Sequence, residues 1–383
     1  MALRKRQIPF LVAFLALAVA VSVLLVLLFW PSEKRITLND ESWAMPGGGP
    51  SHTSYLPLAP KGPLKEKWST RLEALPSGPA AVAGGRVFVC CENGFLYSLD
   101  LETGKPIWLY DAKSGISSMP AVYERGVLLG TIDGKVLEVG PSGSLNWEVE
   151  VGGAVLSTPI PVGDRIYFGS SDGHLYCVSS RDGSRKWDFD AGSAVEFSPC
   201  LLEGQVFGVS FQGDLFALDA ASGKLNWTFR SKGIPVAMPS ADSGKVFLAT
   251  EFVVFCCDAQ SGKVMWQYSP SPNLISNAAV RGSQLLAARG LAGEGCEALS
   301  LDARTGDLLW KARCGESPER SVAIASNENL YLMAVGHLRA LSAEAGTPTL
   351  DLEVREALAG TFCMTGRYVL VATGNRKLYC FED

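Results

Sequence analysis

Histidine is scarce in this chain of 383 residues, which contains only His52, His174 and His337. No two of them are close in sequence, so the spacing does not predict a histidine-rich metal site. Glycine is plentiful, but no glycine-rich segment opens a predicted helix. A phosphate-binding loop needs the N-terminus of a helix behind it, so that class of site is not expected.

Clustered positive charge is also missing from residues 64–383, and the formal net charge of the whole chain is −5. Proteins that bind nucleic acid or anionic lipid headgroups present basic patches to them. The sequence therefore predicts no nucleic-acid partner and no anionic-lipid surface for this region.

Charged residues are absent from one long apolar run, residues 8–30. About twenty apolar residues are enough for a helix to span a bilayer. Arg4, Lys5 and Arg6 precede the run, which favours a cytoplasmic segment 1–7 and a transmembrane anchor 8–30. A cleaved signal peptide is the alternative, although Phe29-Trp30-Pro31 is a poor cleavage site. No cysteine precedes Cys90, so a lipidated N-terminus is not expected.

Residues 31–63 are rich in glycine, proline and serine, with Gly47-Gly48-Gly49-Pro50 at the centre. This composition predicts a linker between the anchor and the rest of the chain.

Tryptophan returns every 39 to 44 residues through the remainder of the sequence. The repeating positions are Trp68, Trp108, Trp147, Trp187, Trp227, Trp266 and Trp310, and Leu350 takes the next one. From Trp108 onward each of these residues follows a glycine by four positions, as Trp187 follows Gly183. A repeat of about forty residues with strand-like content predicts a β-propeller. We expect the tryptophans to dock neighbouring blades; a stacking platform for sugars or bases is the alternative.

Residues 158–189 illustrate one repeat. Four short apolar runs are separated by turn residues, with Asp172-Gly173 forming a tight hairpin. Eight such units fit the chain, but the last stops at Asp383, before its fourth strand. The missing strand is found around Trp68. The sequence thus predicts an all-β fold: an eight-bladed propeller over residues 64–383, with its last blade closed by an N-terminal strand.

The ten cysteines allow two interpretations. An extracytoplasmic domain could use them in disulfides. However, Cys177, Cys256 and Cys380 share a repeat position with Ser98 and Ala217, which indicates a small buried side chain. We expect most cysteines to be packing thiols. Glu138 is the exception at this position.

The segments 93–108, 171–187 and 212–227 resemble the repeat of pyrroloquinoline-quinone-type β-propellers, over about residues 64–383. Two branches of this family differ in function. Quinoprotein alcohol dehydrogenases use the quinone and calcium. The B component of the β-barrel outer-membrane assembly machinery (BamB) is a scaffold without catalysis, and the present chain is most similar to that branch. The BamB branch is lipid-anchored, whereas this sequence predicts a transmembrane segment.

The dehydrogenase branch implies calcium ligands and a carboxylate base in the funnel of the ring. The polar candidates at the predicted channel mouth include Glu196, Asn277, Glu319 and Arg320. Glu196 and Asn277 could ligate calcium, or all four could belong to a hydrated rim that contacts a partner. We expect the rim. The sequence predicts no catalytic residue, no bound cofactor and no metal site.

These observations predict a monomeric, non-catalytic propeller anchored in the bacterial inner membrane with its ring in the periplasm. Its expected partners are proteins of the cell envelope, and by the resemblance the process is outer-membrane protein assembly. The alternatives are a quinone- and calcium-dependent dehydrogenase and a sensor of a small ligand.

Overall fold

A computed structural model describes residues 35–39, 42–45, 47–60, 62–231, 233–269, 278–291, 295–315, 323–354 and 360–383. The chain divides into two compact units, Met1–Arg35 and Ile36–Asp383. Among the described residues, no helix is both long enough and apolar enough to cross a membrane. The predicted anchor, residues 8–30, lies outside them.

In the part of the chain that the structure describes, thirty-two strands form eight four-stranded antiparallel sheets, which confirms the predicted eight-bladed propeller. Blades 1 to 4 contain β2 (Ala81–Ala83), β3 (Arg86–Cys90), β4 (Phe95–Asp100), β5 (Pro106–Asp111); β6 (Ala121–Tyr123), β7 (Gly126–Gly130), β8 (Lys135–Val139), β9 (Leu145–Glu150); β10 (Ile160–Val162), β11 (Arg165–Gly169), β12 (His174–Ser179), β13 (Arg185–Asp190); and β14 (Cys200–Leu202), β15 (Gln205–Val209), β16 (Asp214–Asp219), β17 (Leu225–Arg230).

Blades 5 to 8 contain β18 (Ser240–Asp242), β19 (Lys245–Ala249), β20 (Val254–Asp258), β21 (Val264–Tyr268); β22 (Ala279–Arg281), β23 (Gln284–Leu291), β24 (Gly295–Asp302), β25 (Leu308–Gly315); β26 (Ala323–Ala325), β27 (Asn329–Ala334), β28 (His337–Ser342), β29 (Pro348–Glu353); and β30 (Gly360–Met364), β31 (Tyr368–Thr373), β32 (Lys377–Glu382) with β1 (Lys65–Arg71). The first strands of several successive blades contact one another and line the central channel.

The two ends of the chain meet in blade 8. Its strand order is β1-β32-β31-β30, and Trp68 lies opposite Cys380 in the antiparallel pair of β1 and β32. The prediction that an N-terminal strand completes the last blade is therefore confirmed. Pairing β1 with β32 removes the open sheet edge that β32 would otherwise present.

Each repeating tryptophan packs on the following blade. Its indole covers the glycine in the turn between that blade's third and fourth strands, as Trp187 covers Gly223. A Cβ atom on any of these seven glycines would lie 2.5 to 2.8 Å from the indole. The glycines also have positive φ. A side chain at any of these positions would both clash with the indole and strain the backbone, so only glycine fits. Leu350 packs towards blade 8, whose third and fourth strands, β32 and β1, are not consecutive in sequence and so are not joined by such a turn.

Six of the seven indoles also donate a hydrogen bond across the blade interface. The bonds are Trp68 Nε1 to Leu101 O, Trp108 to Pro141 O, Trp187 to Ala220 O, Trp227 to Ala259 O, Trp266 to Ala303 O and Trp310 to Ala343 O, at 2.9 to 3.2 Å. Burial of the ring and satisfaction of its N–H thus come from the same neighbour.

Trp147 is the exception, because its Nε1 has no hydrogen-bond partner among the described residues. Its blade is also the one that carries Glu138 at the small-residue position. The fully buried Glu138 carboxylate accepts hydrogen bonds from Tyr123 Oη and from Asn146 Nδ2, the latter at 2.6 Å.

The structure also shows how the sixth repeat is lengthened and how the cysteines are used. In the sixth repeat β23 and β24 pair as far as Leu291 and Gly295, so the extra residues of this repeat mainly lengthen a hairpin. All ten cysteines are free and buried, as expected for packing thiols.

Candidate functional site

The N-terminal segment 43–56, which we call the channel segment, lies along the first strands of the blades. Those strands are sheet edges, so the N–H of each central residue points away from its own sheet. Five of these N–H groups, and that of Ala325 at the end of β26, donate to carbonyl oxygens of the channel segment at 2.6 to 2.9 Å. The bonds are Val82 N to Trp43 O, Val122 to Ala44 O, Leu201 to Pro50 O, Ala241 to Ser51 O, Val280 to Thr53 O and Ala325 to Ser54 O.

The channel segment follows the blades in order. Its acceptors serve blades 1, 2, 4, 5, 6 and 7 in turn, and neighbouring blades bind carbonyls one or two residues apart. The break falls at blade 3, where the equivalent central residue is Pro161, which has no N–H to donate. Opposite that blade the segment turns on itself, with Gly48 N donating to Met45 O. The register of the segment thus matches the pattern of donors around the ring.

Side chains of the channel segment are buried inside the ring. Trp43, Met45, His52 and Leu56 are each less than a tenth exposed. Trp43 and Leu56 join the core cluster of blades 1, 7 and 8, and Met45 joins that of blades 2 and 3. This part of the predicted linker is packed, while the linker boundaries 31–63 themselves stay a prediction.

His52 is the titratable group of the channel segment. Its φ is +52°, and neither ring nitrogen makes a well-formed hydrogen bond among the described residues. Burial lowers the pKa of His52 to about 4, and the nearby Pro239 carbonyl offsets this only in part. The imidazole is therefore neutral at pH 7.

The loop face of the ring carries the hairpins between second and third strands and the connections between blades. Three apolar side chains are exposed there on blades 4 and 5: Phe211, Ile234 and Phe252. They lie on adjoining loops, because Glu251 N donates to Ile234 O and Gly233 lies against the Phe252 ring. Phe252 is 52% exposed on a tight turn closed by Thr250 N and Val253 O. Ile132 is exposed on the corresponding hairpin of blade 2.

Of the four predicted rim residues, the structure describes only Glu196. It is half-buried in the connection between blades 3 and 4, on the loop face. Asn277, Glu319 and Arg320 lie outside the described residues, so the pairing of Glu196 with Asn277 stays a prediction. Within the described ranges, no group of three or more histidine, cysteine, aspartate or glutamate side chains could hold a metal ion.

The quinone of the dehydrogenase branch would have to enter the funnel of the ring. In this chain the first strands of blades 1, 2, 4, 5, 6 and 7 already bind the channel segment, so it is held from both sides of the channel. A flat cofactor stacked across the ring would meet Trp43, Met45 and the 50–54 backbone. The residues present therefore do not fit the quinone, and we derive no chemistry through it.

The family profile of the outer membrane protein assembly factor BamB matches residues 64–268 and 194–335, which together exceed half of the chain. The chain belongs to this family. Both matched ranges lie within the ring, so BamB-type repeats form most of the blades described above. The resemblance read from the tryptophan repeat is confirmed.

Curated relatives agree over shorter stretches. The outer membrane protein assembly factor BamB of Nitrosomonas eutropha is 31% identical over 128 residues, 33% of this chain and 31% of that protein. Its counterpart in Xanthomonas campestris is 32% identical over 90 residues, 21% of this chain and 22% of that protein. The chain thus aligns with about a third or less of the length of these relatives.

Solved structures match nearly the whole ring. BamB from Moraxella catarrhalis superposes with a TM-score of 0.66 at 16% identity, covering 84% of this chain and all of that one. The quinohemoprotein alcohol dehydrogenase from Comamonas testosteroni reaches 0.74 at 13% identity, covering 89% and 80%. The computationally designed Ika8 protein reaches 0.70 at 13% identity, covering 83% and 100%. At these identities the matches show the fold alone, because scaffold, enzyme and design share it.

Proposed function

We propose that this chain is a non-catalytic scaffold for outer-membrane protein assembly, with its propeller in the periplasm. The observation that carries the proposal is the family match across residues 64–335, on a ring whose channel is taken by the chain's own segment. A ring of this kind offers partners a rigid set of loops, while its channel is lined by the chain's own segment.

In this proposal residues 1–7 are cytoplasmic, residues 8–30 anchor a monomeric protein in the inner membrane, and residues 31–63 connect the anchor to the ring. The uncharged run of 23 residues between Gln7 and Pro31 supports the anchor. Separation of the tagged protein into membrane and soluble fractions, with sequencing of the mature N-terminus, distinguishes an anchor from a cleaved signal peptide.

The contact surface we propose is the loop face of blades 4 and 5. Phe211, Ile234 and Phe252 are apolar, exposed and held on short loops of a rigid sheet. Exposed aromatic side chains on such loops are typical of the centre of a protein interface. Glu196, in the preceding connection, supplies a polar rim, and Asn277, Glu319 and Arg320 are proposed to extend it.

A photo-crosslinking amino acid at Phe252, in the full-length protein in cells, tests this surface. The matched control is the same substitution at Gln260, which is exposed on the opposite face of the same blade. We expect Phe252 to yield crosslinks to envelope proteins of the assembly machinery and Gln260 to yield none. Equal yields from both positions, or no assembly component from either, would contradict the proposal.

The second candidate function is a quinone-dependent dehydrogenase. It rests on the fold alone, which is shared with a quinohemoprotein enzyme at a TM-score of 0.74 and 13% identity, and the filled channel argues against it. The test is a thermal melt of the purified protein with pyrroloquinoline quinone and Ca²⁺. A rise in melting temperature together with a visible absorbance band would support the enzyme, and an unchanged melt would remove it.

A further inference from the structure

We propose that the ring of inner-strand N–H groups is a binding site for a polypeptide segment folded into turns, and that the channel segment occupies it as an exchangeable intramolecular ligand. The six donors belong to six different blades, and their acceptors all lie within the twelve residues from Trp43 to Ser54. This inference stands apart from the scaffold proposal, because it concerns the channel and not the loop face.

Recognition at this site is made by the backbone. Five of the six donors are the central N–H of a three-residue edge strand, the sixth is the N–H of Ala325 at the end of β26, and each acceptor is a main-chain carbonyl. Backbone contacts to sheet edges are also how peptides are recognised elsewhere. The bound segment is folded into turns, as Gly48 N donating to Met45 O shows, so its conformation is recognised together with the buried Trp43, Met45 and His52.

The channel segment is attached to the ring in a way that allows exchange. It belongs to none of the eight sheets, and its bridges to β2 and β26 are isolated pairs. The chain leaves the channel through Pro57 and Leu58, which are both exposed. A cut at this point would turn the intramolecular ligand into a separate peptide without touching a blade.

The chain itself supplies the matched variants. Val280 donates to Thr53 O at 2.7 Å, and proline at this position would remove the N–H while keeping a similar volume. Proline is tolerated on an edge strand whose N–H faces outward, and Pro161 already stands at the same position in blade 3. The reverse exchange, Pro161→Val, adds an N–H at the blade that the segment bypasses. Val280→Pro therefore removes a hydrogen-bond donor to the channel segment, whereas Pro161→Val removes none.

The experiment uses the full chain with an N-terminal tag and a protease recognition sequence inserted between Pro57 and Leu58. The tagged protein is bound to a resin and cleaved, and the propeller fragment that stays on the resin is measured over time. A synthetic peptide of residues 36–57 is then added in excess. Melting curves of the uncleaved variants confirm that each one folds.

We expect the propeller to remain on the resin after cleavage and to leave it when the peptide is added. Val280→Pro should leave about five-fold faster, as for the loss of one backbone hydrogen bond, and Pro161→Val should leave at the parent rate. Immediate release on cleavage would overturn the proposal, as would no release over days with excess peptide. Equal release rates for Val280→Pro and the parent protein would overturn it as well.

Discussion

Lys67 Nζ lies 2.6 Å from Oε2 of Glu382, a residue 315 positions later in the sequence. The same ammonium lies 2.9 Å from Glu102 Oε2 in blade 1. Glu102 in turn accepts a hydrogen bond from Tyr368 Oη at 2.5 Å. Lys67 therefore connects β1, the end of β32 and the first blade at the point where the ring closes.

Deleting residues 64–71 should open the ring. β32 would lose its partner strand, and the Trp68 indole would no longer cover Gly104 of blade 1. We expect an aggregating protein without a single cooperative melt, measured by light scattering and by circular dichroism on heating. Lys67→Met is the control, since it keeps the strand. An unchanged melting curve for the deletion would show that β1 is dispensable.

Acid should weaken this closure through the carboxylates. The hydrogen bond from Lys67 lowers the pKa of Glu382, and hydrogen bonds from Tyr368 and Lys67 lower that of Glu102. A carboxylate whose pKa is lowered by folding stabilises the folded protein at pH values above its ordinary pKa of about 4.5. This stabilisation is lost as the pH falls below that value. The melting temperatures of wild type and Lys67→Met should differ at pH 7 and converge near pH 3. A constant difference would contradict the ion-pair interpretation.

Gly223→Ala should destabilise the ring far more than Gly204→Ala. Both glycines have positive φ, +71° and +77°, so both substitutions carry the same backbone strain of about 1 kcal/mol. Only at Gly223 would the new Cβ lie 2.6 Å from Trp187, which adds an overpacking cost of about 1–3 kcal/mol. Urea unfolding measures the difference. Equal losses for the two variants would mean that the indole moves away freely.

His52 should make the channel segment sensitive to mild acid. Because burial lowers its pKa to about 4, the unfolded chain binds the proton more readily, and stability falls as the pH drops from 6.5 towards 4. The full effect is about 3 kcal/mol. His52→Asn keeps a residue that tolerates positive φ and removes the titration, so its stability should change less between pH 7 and pH 5. Parallel stability curves for the two proteins would refute this.

The blades could be predicted because their contacts depend on side chains that recur. Trp187 needs a flat partner surface, Gly223 provides it, and the same pair of requirements repeats around the ring. The presence of Leu350 at the eighth tryptophan position is also explained once β1 is known to complete blade 8. The exposed loop face could be placed only in outline, since exposure of Phe252 depends on a turn that departs from the glycine pattern.

The channel segment could not be predicted from the sequence. Its bonds join backbone N–H groups to backbone carbonyls, which any residue possesses, so Val82 and Trp43 carry no mark of their contact. Glycine and proline at 46–50 indicate a linker whether or not the chain is bound. Two signals were present: Trp43 and Met45 are unusual in a solvated linker, and Pro161 interrupts the pattern of inner-strand residues.

The position of the channel segment also determines how the protein can be made. Ribosomes deliver residues 36–71 before the first blade exists, and β32 only after the strands of blades 1 to 7. The segment that fills the channel is therefore present from the start, and the blades can assemble around it in order. Strand β1 has to wait, unpaired, for nearly the whole polypeptide to emerge, which makes a holding factor valuable during biogenesis.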